Sequence, residues 1–136
     1  MIHNFDHSFH DNHHNYIGRA GDRLRAKHLW GDHIGTLNWD GRVWAASKKF
    51  NGIRLVCLRD FLGGAPLENE GHIGHLSRQQ VLASYAALES EGYCVWTKNC
   101  EHIDNYVRGL GYTSPQIKTA LLVSVTTVLL IAANRR

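Results

Sequence analysis

Residues 33–47 read HIGTLNWDGRVWAAS, and this stretch decides the fold. It contains Asp40-Gly41 between two apolar runs, which is among the strongest short signals for a β-hairpin. A three-residue loop with Gly41 in the left-handed conformation would pair Asn38 with Arg42. We therefore predict two antiparallel strands here, joined by a tight turn, as the first part of a sheet.

The register of this hairpin decides which side chains share a face. With the three-residue loop, Gly35 faces Ala45 and His33 faces Ser47, so all four lie on one face of the ribbon. A two-residue loop would instead shift the register and move Ala45 and Ser47 to the other face. His33 opens its strand, and a strand is a rigid element that fixes an imidazole in place.

The rest of the chain predicts an α+β fold, in which a small antiparallel sheet packs on helices. Ser77-Arg78-Gln79-Gln80 matches a capping box and opens a helix. Residues 59–66 are expected to form a loop or one helical turn, and residues 67–76 to be irregular. The other predicted elements are a weak strand at 22–26, a central strand at 53–58 with Cys57 in the core, a helix from about 78 to 91, a strand at 93–96 and a short helix at 100–108.

Length, charge and cysteine content bound the classes of function. A chain of 136 residues is long enough for one domain with a moderate core. The formal net charge of +3 is small and gives no case for nucleic acid, which needs a clustered basic face. Three cysteines without paired spacing argue against a disulfide framework and suit a reducing, cytoplasmic location. The polar, histidine-rich start argues against a signal peptide.

Two segments flank the predicted domain at 19–111. Residues 1–18 form a histidine-rich arm, which we expect to be mobile or loosely docked rather than a specific metal site. Residues 119–133, within a C-terminal segment at 112–136, are uncharged and nearly all apolar. This length falls between a spanning helix and a core helix. We expect it to bind membrane lipid or to be buried in a homodimer, with a soluble core helix as the alternative.

The strongest chemical signal lies in the stretch Thr97–Ile103. Asn99 is a good N-cap residue, which places Cys100 at the first position of a helix. Unpaired N–H groups and the positive end of the helix dipole favour an anion there, so the thiol would be partly ionised near neutral pH. The alternative is that Cys100 is one more small buried residue, as free cysteines usually are.

A cysteine nucleophile needs a base to take its proton and a polar group to hold that base. Among ten histidines, His33 has the strongest claim to be the base because it opens a strand. His102 is close to Cys100 in sequence, but residues i and i+2 of a helix point to different faces. We therefore interpret His102 as a structural or surface residue. No cofactor or metal is predicted for this chemistry.

Asn99-Cys100-Glu101-His102 resembles the Asn-Cys-Glu-His signature of the lecithin retinol acyltransferase family. That family is a circularly permuted branch of the NlpC-type papain-like superfamily. The resemblance covers roughly residues 20–110. Three further segments are similar to family blocks in the same order. The first is Gly21-Asp22, and the second is His33-Ile34-Gly35 with Asp40-Gly41-Arg42-Val43. The third, Asp60-Phe61-Leu62-Gly63-Gly64, resembles the Phe-Leu-Gly-Gly turn of bacterial members.

This resemblance implies a thiol-dependent acyltransferase or phospholipase that acts on lipid acyl esters. Cys100 would take the acyl group as a thioester, and His33 would act first as general base and then as general acid. The N–H of Cys100 and neighbouring donors would hold the oxyanion, with Asn99, Glu101 and His102 as the other motif residues. A C-terminal apolar helix that anchors to membranes is also familiar in the family.

One position departs from the family pattern. The family usually has a second histidine twelve residues after the first, which orients the base, and here that position is Ala45. Alanine cannot hydrogen-bond an imidazole through its side chain, so Ser47, His28 or a water is the candidate substitute. Losing the orienting group of such a unit can cost several orders of magnitude in rate. This departure leaves open a weak or inactive module for membrane or host-factor interaction. A cysteine peptidase or amidase of the NlpC kind is a second alternative.

Overall fold

The computed structural model of the chain describes residues 8–48, 51–89 and 99–111. The predicted α+β class is confirmed, because an antiparallel sheet is combined with short helices. In chain order the elements are β1 (Ser8–His10), β2 (Tyr16–Arg19), β3 (Arg23–Ala26), β4 (His33–Leu37), β5 (Val43–Ser47), β6 (Gly52–Val56), α1 (Leu58–Leu62), β7 (Leu67–Gly71), α2 (Arg78–Ala87) and α3 (Cys100–Val107).

The predicted hairpin lies at the middle of a five-stranded sheet with the order β6-β5-β4-β3-β7. Its three-residue loop and register are confirmed. Gly35 pairs with Ala45, and the N–H of Asn38 donates to the carbonyl of Arg42 at 2.7 Å. Gly41 has a φ of 83°, the left-handed conformation that this loop needs.

Side chains of β4 alternate between two packed faces of the sheet. Ile34 packs with Trp44 and with residues of α2 and α3, on what we call the α3 face. Leu37 packs with Ala45 and with Phe61 of α1, on what we call the α1 face. Full burial of such an aliphatic side chain contributes roughly 2 kcal/mol, so the sheet is stabilised from both sides.

A buried polar cluster fixes α3 against the sheet. Arg108 donates from Nε to Asp104 Oδ2 at 2.8 Å and from Nη2 to Thr36 Oγ1 at 2.6 Å. The Tyr85 hydroxyl donates to Asp104 Oδ1 at 2.6 Å. All four side chains are fully buried. An unpaired buried polar group costs roughly 1–3 kcal/mol, so these bonds determine where α3 lies relative to β4 and α2.

Among the described residues, strand β6 lies at an edge of the sheet, and its predicted central position stays a prediction because residues 93–96 lie outside them. Two other predictions are wrong. Cys57 is exposed rather than in the core, because the chain turns there and Cys57 becomes the N-cap of α1. Residues 67–71 are not irregular but form β7. This strand lacks an apolar alternation and depends on pairing with β3 and on the ion pair of Arg25 with Glu70 at 2.6 Å.

Other predictions are confirmed in part. The capping box of Ser77 and Gln80 begins α2, which ends at Ala87, earlier than expected. Residues 8–18 of the predicted arm are more ordered than expected, because β1 and β2 form a hairpin whose Phe9 packs against both apolar clusters. The predicted strand at 93–96 and the segment at 112–136 lie outside the described residues. In the described part of the chain, no helix is long and apolar enough to cross a bilayer.

Candidate active site

Cys100 begins helix α3, as the sequence predicted. Asn99 is the N-cap, and its side-chain oxygen accepts a hydrogen bond from the N–H of His102 at 2.8 Å. The same oxygen lies 3.2 Å from His102 Nδ1. His102 is buried, so it is not a surface residue, and its structural role stays a prediction.

The thiol of Cys100 is buried against the start of β4. Its Sγ lies 3.9 Å from the carbonyl oxygen of Asp32, and the backbone N–H of Ile34 donates towards the sulfur. These two contacts belong to the residues on either side of His33. The fold therefore brings the candidate nucleophile to the backbone that carries the candidate base, 67 positions earlier in the chain.

The pKa of the Cys100 thiol lies above its ordinary value. Burial is the largest cause, and the negative charges of Glu101 and Asp104 act in the same direction. Hydrogen bonds from the backbone N–H groups of Ile34 and Glu101 oppose this shift without reversing it. This direction is opposite to the partly ionised thiol that the sequence predicts, because desolvation outweighs the helix N-terminus.

His33 is half-buried and its ring lies on the α1 face of the sheet. The ring centroid is 5.6 Å from that of His28 and 6.4 Å from that of Phe61. Burial, and then the positive charge of His28, lowers the pKa of His33. Within the described residues, no hydrogen bond joins the His33 imidazole to the Cys100 thiol. The two groups adjoin the same backbone at the start of β4 but approach it from different faces.

A cavity of about 550 Å³ opens beside His33 on the α1 face. Ala45 and Ser47 line it together with His33, in agreement with the predicted sharing of one face. The position that holds an orienting histidine in the resembling family is thus a small side chain next to open space. The ring of His28, one of the candidate substitutes, packs against the ring of His33.

Charged residues beneath α3 form a site that sequence reasoning missed. Arg23 Nε lies 2.9 Å from Glu70 Oε2 and 3.3 Å from Asp104 Oδ2, and Arg23 Nη2 lies 4.0 Å from Glu101 Oε1. The Asp104–Arg108 spacing of four residues was a usable signal, since such pairs meet on a helix. The contact with Arg23 of β3 directs the Glu101 carboxylate towards the sheet.

Among the described residues, no group of three or more His, Cys, Asp or Glu side chains could hold a metal ion.

In comparisons with known proteins, no protein-family model and no curated protein matches this chain.

Proposed function

We propose that this chain is a thiol-dependent acyltransferase or acyl hydrolase that acts on lipid acyl esters, with a permuted papain-like fold. Cys100 is the nucleophile and His33 the general base. The observation that carries the proposal is the position of the Cys100 sulfur, which contacts the backbone of Asp32 and Ile34 on either side of His33. The choice of lipid acyl esters as substrate rests on the resemblance of the Asn-Cys-Glu-His motif to that of the lecithin retinol acyltransferase family.

The directions of the two pKa shifts support a neutral reacting pair. A lowered pKa keeps the His33 imidazole unprotonated near neutral pH, and a raised pKa keeps the Cys100 thiol protonated. A neutral imidazole can accept the thiol proton as the sulfur attacks. The proton is then transferred during the attack and not before it. A serine nucleophile also loses its proton to histidine during the attack.

In the first step, Cys100 Sγ forms a bond to the acyl carbon and its proton passes to His33. The ester C–O bond breaks, and His33 returns the proton to the leaving alcohol. In the second step, water or an amine or alcohol acceptor attacks the thioester, and the proton passes through His33 back to sulfur. The backbone N–H of Cys100 donates to the oxyanion in both steps, a role worth roughly 3 kcal/mol.

This chemistry requires the His33 ring to turn towards the sulfur when substrate binds. His33 is the first residue of β4, and its half-buried side chain lines the cavity on the α1 face. Catalytic hydrogen bonds are often long in proteins without substrate and tighten in the reacting complex. A ring that packs against the rings of His28 and Phe61 meets that requirement better than one locked by a hydrogen bond.

Trapping of the acyl-enzyme tests the proposal. The full chain is incubated with fluorescent phosphatidylcholine and quenched in acid, and the Cys100 peptide is then examined for an acyl adduct by mass spectrometry. Cys100→Ala and His33→Ala should abolish the adduct. Cys57→Ser, which removes an exposed thiol, is the matched control and should retain it. An unmodified Cys100 in the wild-type chain would count against the proposal.

Ala45 favours a second function, a catalytically weak or inactive module that binds a membrane or a host factor. Its buried methyl group leaves the far side of the His33 ring without the histidine that orients it in the resembling family. If this function is correct, Cys100→Ala leaves membrane or partner binding unchanged. Binding assays on Cys100→Ala alongside the trapping experiment therefore separate the two.

A further inference from the structure

The loop between β3 and β4 presents two large apolar side chains to solvent. Leu29 is 89% exposed and Trp30 is 95% exposed. They occupy the central positions of a turn in which the N–H of Gly31 donates to the carbonyl of His28 at 3.4 Å. Such positions usually hold Gly, Pro, Asn, Asp or Ser. A Leu-Trp pair there is unfavourable in water and contributes nothing to the core.

Both ends of this loop are anchored, so the turn projects outward. At one end the N–H of Lys27 donates to the carbonyl of Pro66 at 3.1 Å. At the other end Arg25 Nη1 donates to the carboxylate of Asp32 at 3.1 Å. The tip itself carries no charged side chain, and both of its large side chains are almost fully exposed. An exposed apolar tip with a tryptophan suits a fluid lipid interface, where indole rings concentrate, and needs no complementary pocket.

The same loop touches both candidate catalytic groups. The ring of His28 contacts the ring of His33, with centroids 5.6 Å apart. The carbonyl of Asp32 lies 3.9 Å from the sulfur of Cys100. Any surface that binds the tip is therefore held at the end of the sheet where the candidate site lies.

We infer that Leu29 and Trp30 insert into the interfacial region of a lipid bilayer and hold the Cys100–His33 end of the sheet at the membrane surface. The choice of lipid as partner rests on the proposed function, whereas the exposure and anchoring of the loop are independent of it. This contact is separate from the one that the sequence predicts for residues 119–133. It fixes the orientation of the domain at the bilayer surface.

Quenching of tryptophan fluorescence by brominated lipid tests this contact in the full chain. The protein is mixed with vesicles of phosphatidylcholine brominated in the acyl chain, and with unbrominated vesicles of the same lipid. Bromine quenches only indole rings that reach the acyl region. We expect a loss of wild-type emission on brominated vesicles, most of which disappears in Trp30→Phe. Trp39→Phe is the matched control, because Trp39 is 62% exposed in the turn at the other end of β4. It should keep the wild-type loss.

Two results would overturn the inference: equal quenching of the wild type and Trp30→Phe, or no quenching of the wild type. Either result would point to a protein partner for the tip. Acylation of Cys100 by a soluble short-chain ester is measured on the same samples. Quenching of Trp30 without acylation removes the proposed function and keeps the loop contact. Acylation without quenching keeps the proposed function and removes the loop contact.

Discussion

Arg108 and Asp104 form an ion pair inside the protein, in which Nε donates to Oδ2 at 2.8 Å and neither side chain is exposed to solvent. Arg108 also donates to the carbonyl of Gly21 at 3.0 Å and to that of Ile73 at 3.3 Å. One side chain thus links α3 to the segments before β3 and after β7. Because α3 begins at Cys100, this link sets the position of the candidate nucleophile.

Removal of the cation should destabilise the fold strongly. Arg108→Met removes the closer of the two cations that pair with the buried Asp104 carboxylate and leaves Arg23, 3.3 Å away, as the other. It also removes the hydrogen bonds of Arg108 to Thr36, Gly21 and Ile73, and we expect a loss of roughly 3–5 kcal/mol in the free energy of unfolding. Urea denaturation measures it. Arg59→Met is the control, since Arg59 is 93% exposed and lies 3.9 Å from Asp60. It should change stability by less than about 0.5 kcal/mol. Similar losses in both variants would contradict the buried link.

Asp22 should make stability depend on acid pH. Burial acts to raise the pKa of Asp22, but hydrogen bonds from the Arg19 N–H, Asn69 and Arg78 together lower it below the ordinary 3.8. Its stabilising contribution is therefore complete above about 3.8 and is lost as pH falls through the lower folded-state value. Asp22→Asn should be less stable than wild type at neutral pH. The gap in thermal midpoint should close in strong acid, and a gap independent of pH would rule this out.

Acyl transfer should not need a preformed thiolate. Burial, and then His28, lowers the pKa of His33 from 6.5, so the rate of Cys100 acylation should be level near neutral pH and fall in acid with a midpoint below 6.5. His28→Gln removes one cause and should move that acid limb to higher pH. The measurement is the rate of adduct formation against pH. A midpoint above 6.5 in the wild type would contradict the neutral pair.

The two thiols that the structure describes should differ in reactivity. Cys57 is exposed and Cys100 is buried, and burial raises the pKa of Cys100. Iodoacetamide reacts with the thiolate, so Cys57 should be alkylated at least roughly tenfold faster than Cys100. Peptide mapping of a time course gives both rates. The reverse order would mean that the helix start ionises Cys100 in spite of its burial.

A histidine at position 45 should increase acylation of Cys100. The side chain of Ala45→His would enter the cavity of about 550 Å³ beside His33 and could hydrogen-bond its ring. Orienting groups of this kind contribute up to about 10⁴ in rate, so we expect a gain of at least tenfold. Ala45→Phe is the matched control, because it fills the same space without a hydrogen bond. An equal gain in both variants would indicate packing, and no gain in either would favour the inactive module.

Local chemistry allowed the sequence to determine the hairpin and the helix starts. Gly41 determines the turn because glycine accepts a positive φ. The length of this turn then determines the strand register, which places Ala45 opposite Gly35. Asn99 and Ser77 determined where α3 and α2 begin, because an N-cap side chain satisfies N–H groups only a few residues away. Each of these decisions depends on neighbours within one turn or one hairpin.

Only the tertiary structure decided what is buried and what meets across the sheet. Strand β7 exists because β3 offers a pairing edge and Arg25 offers a charge, neither of which is visible in its own polar sequence. Burial raises the pKa of the Cys100 thiol, although its own helix favours the anion. Burial and pairing depend on residues far apart in the chain, and they outweigh local preference wherever the two disagree.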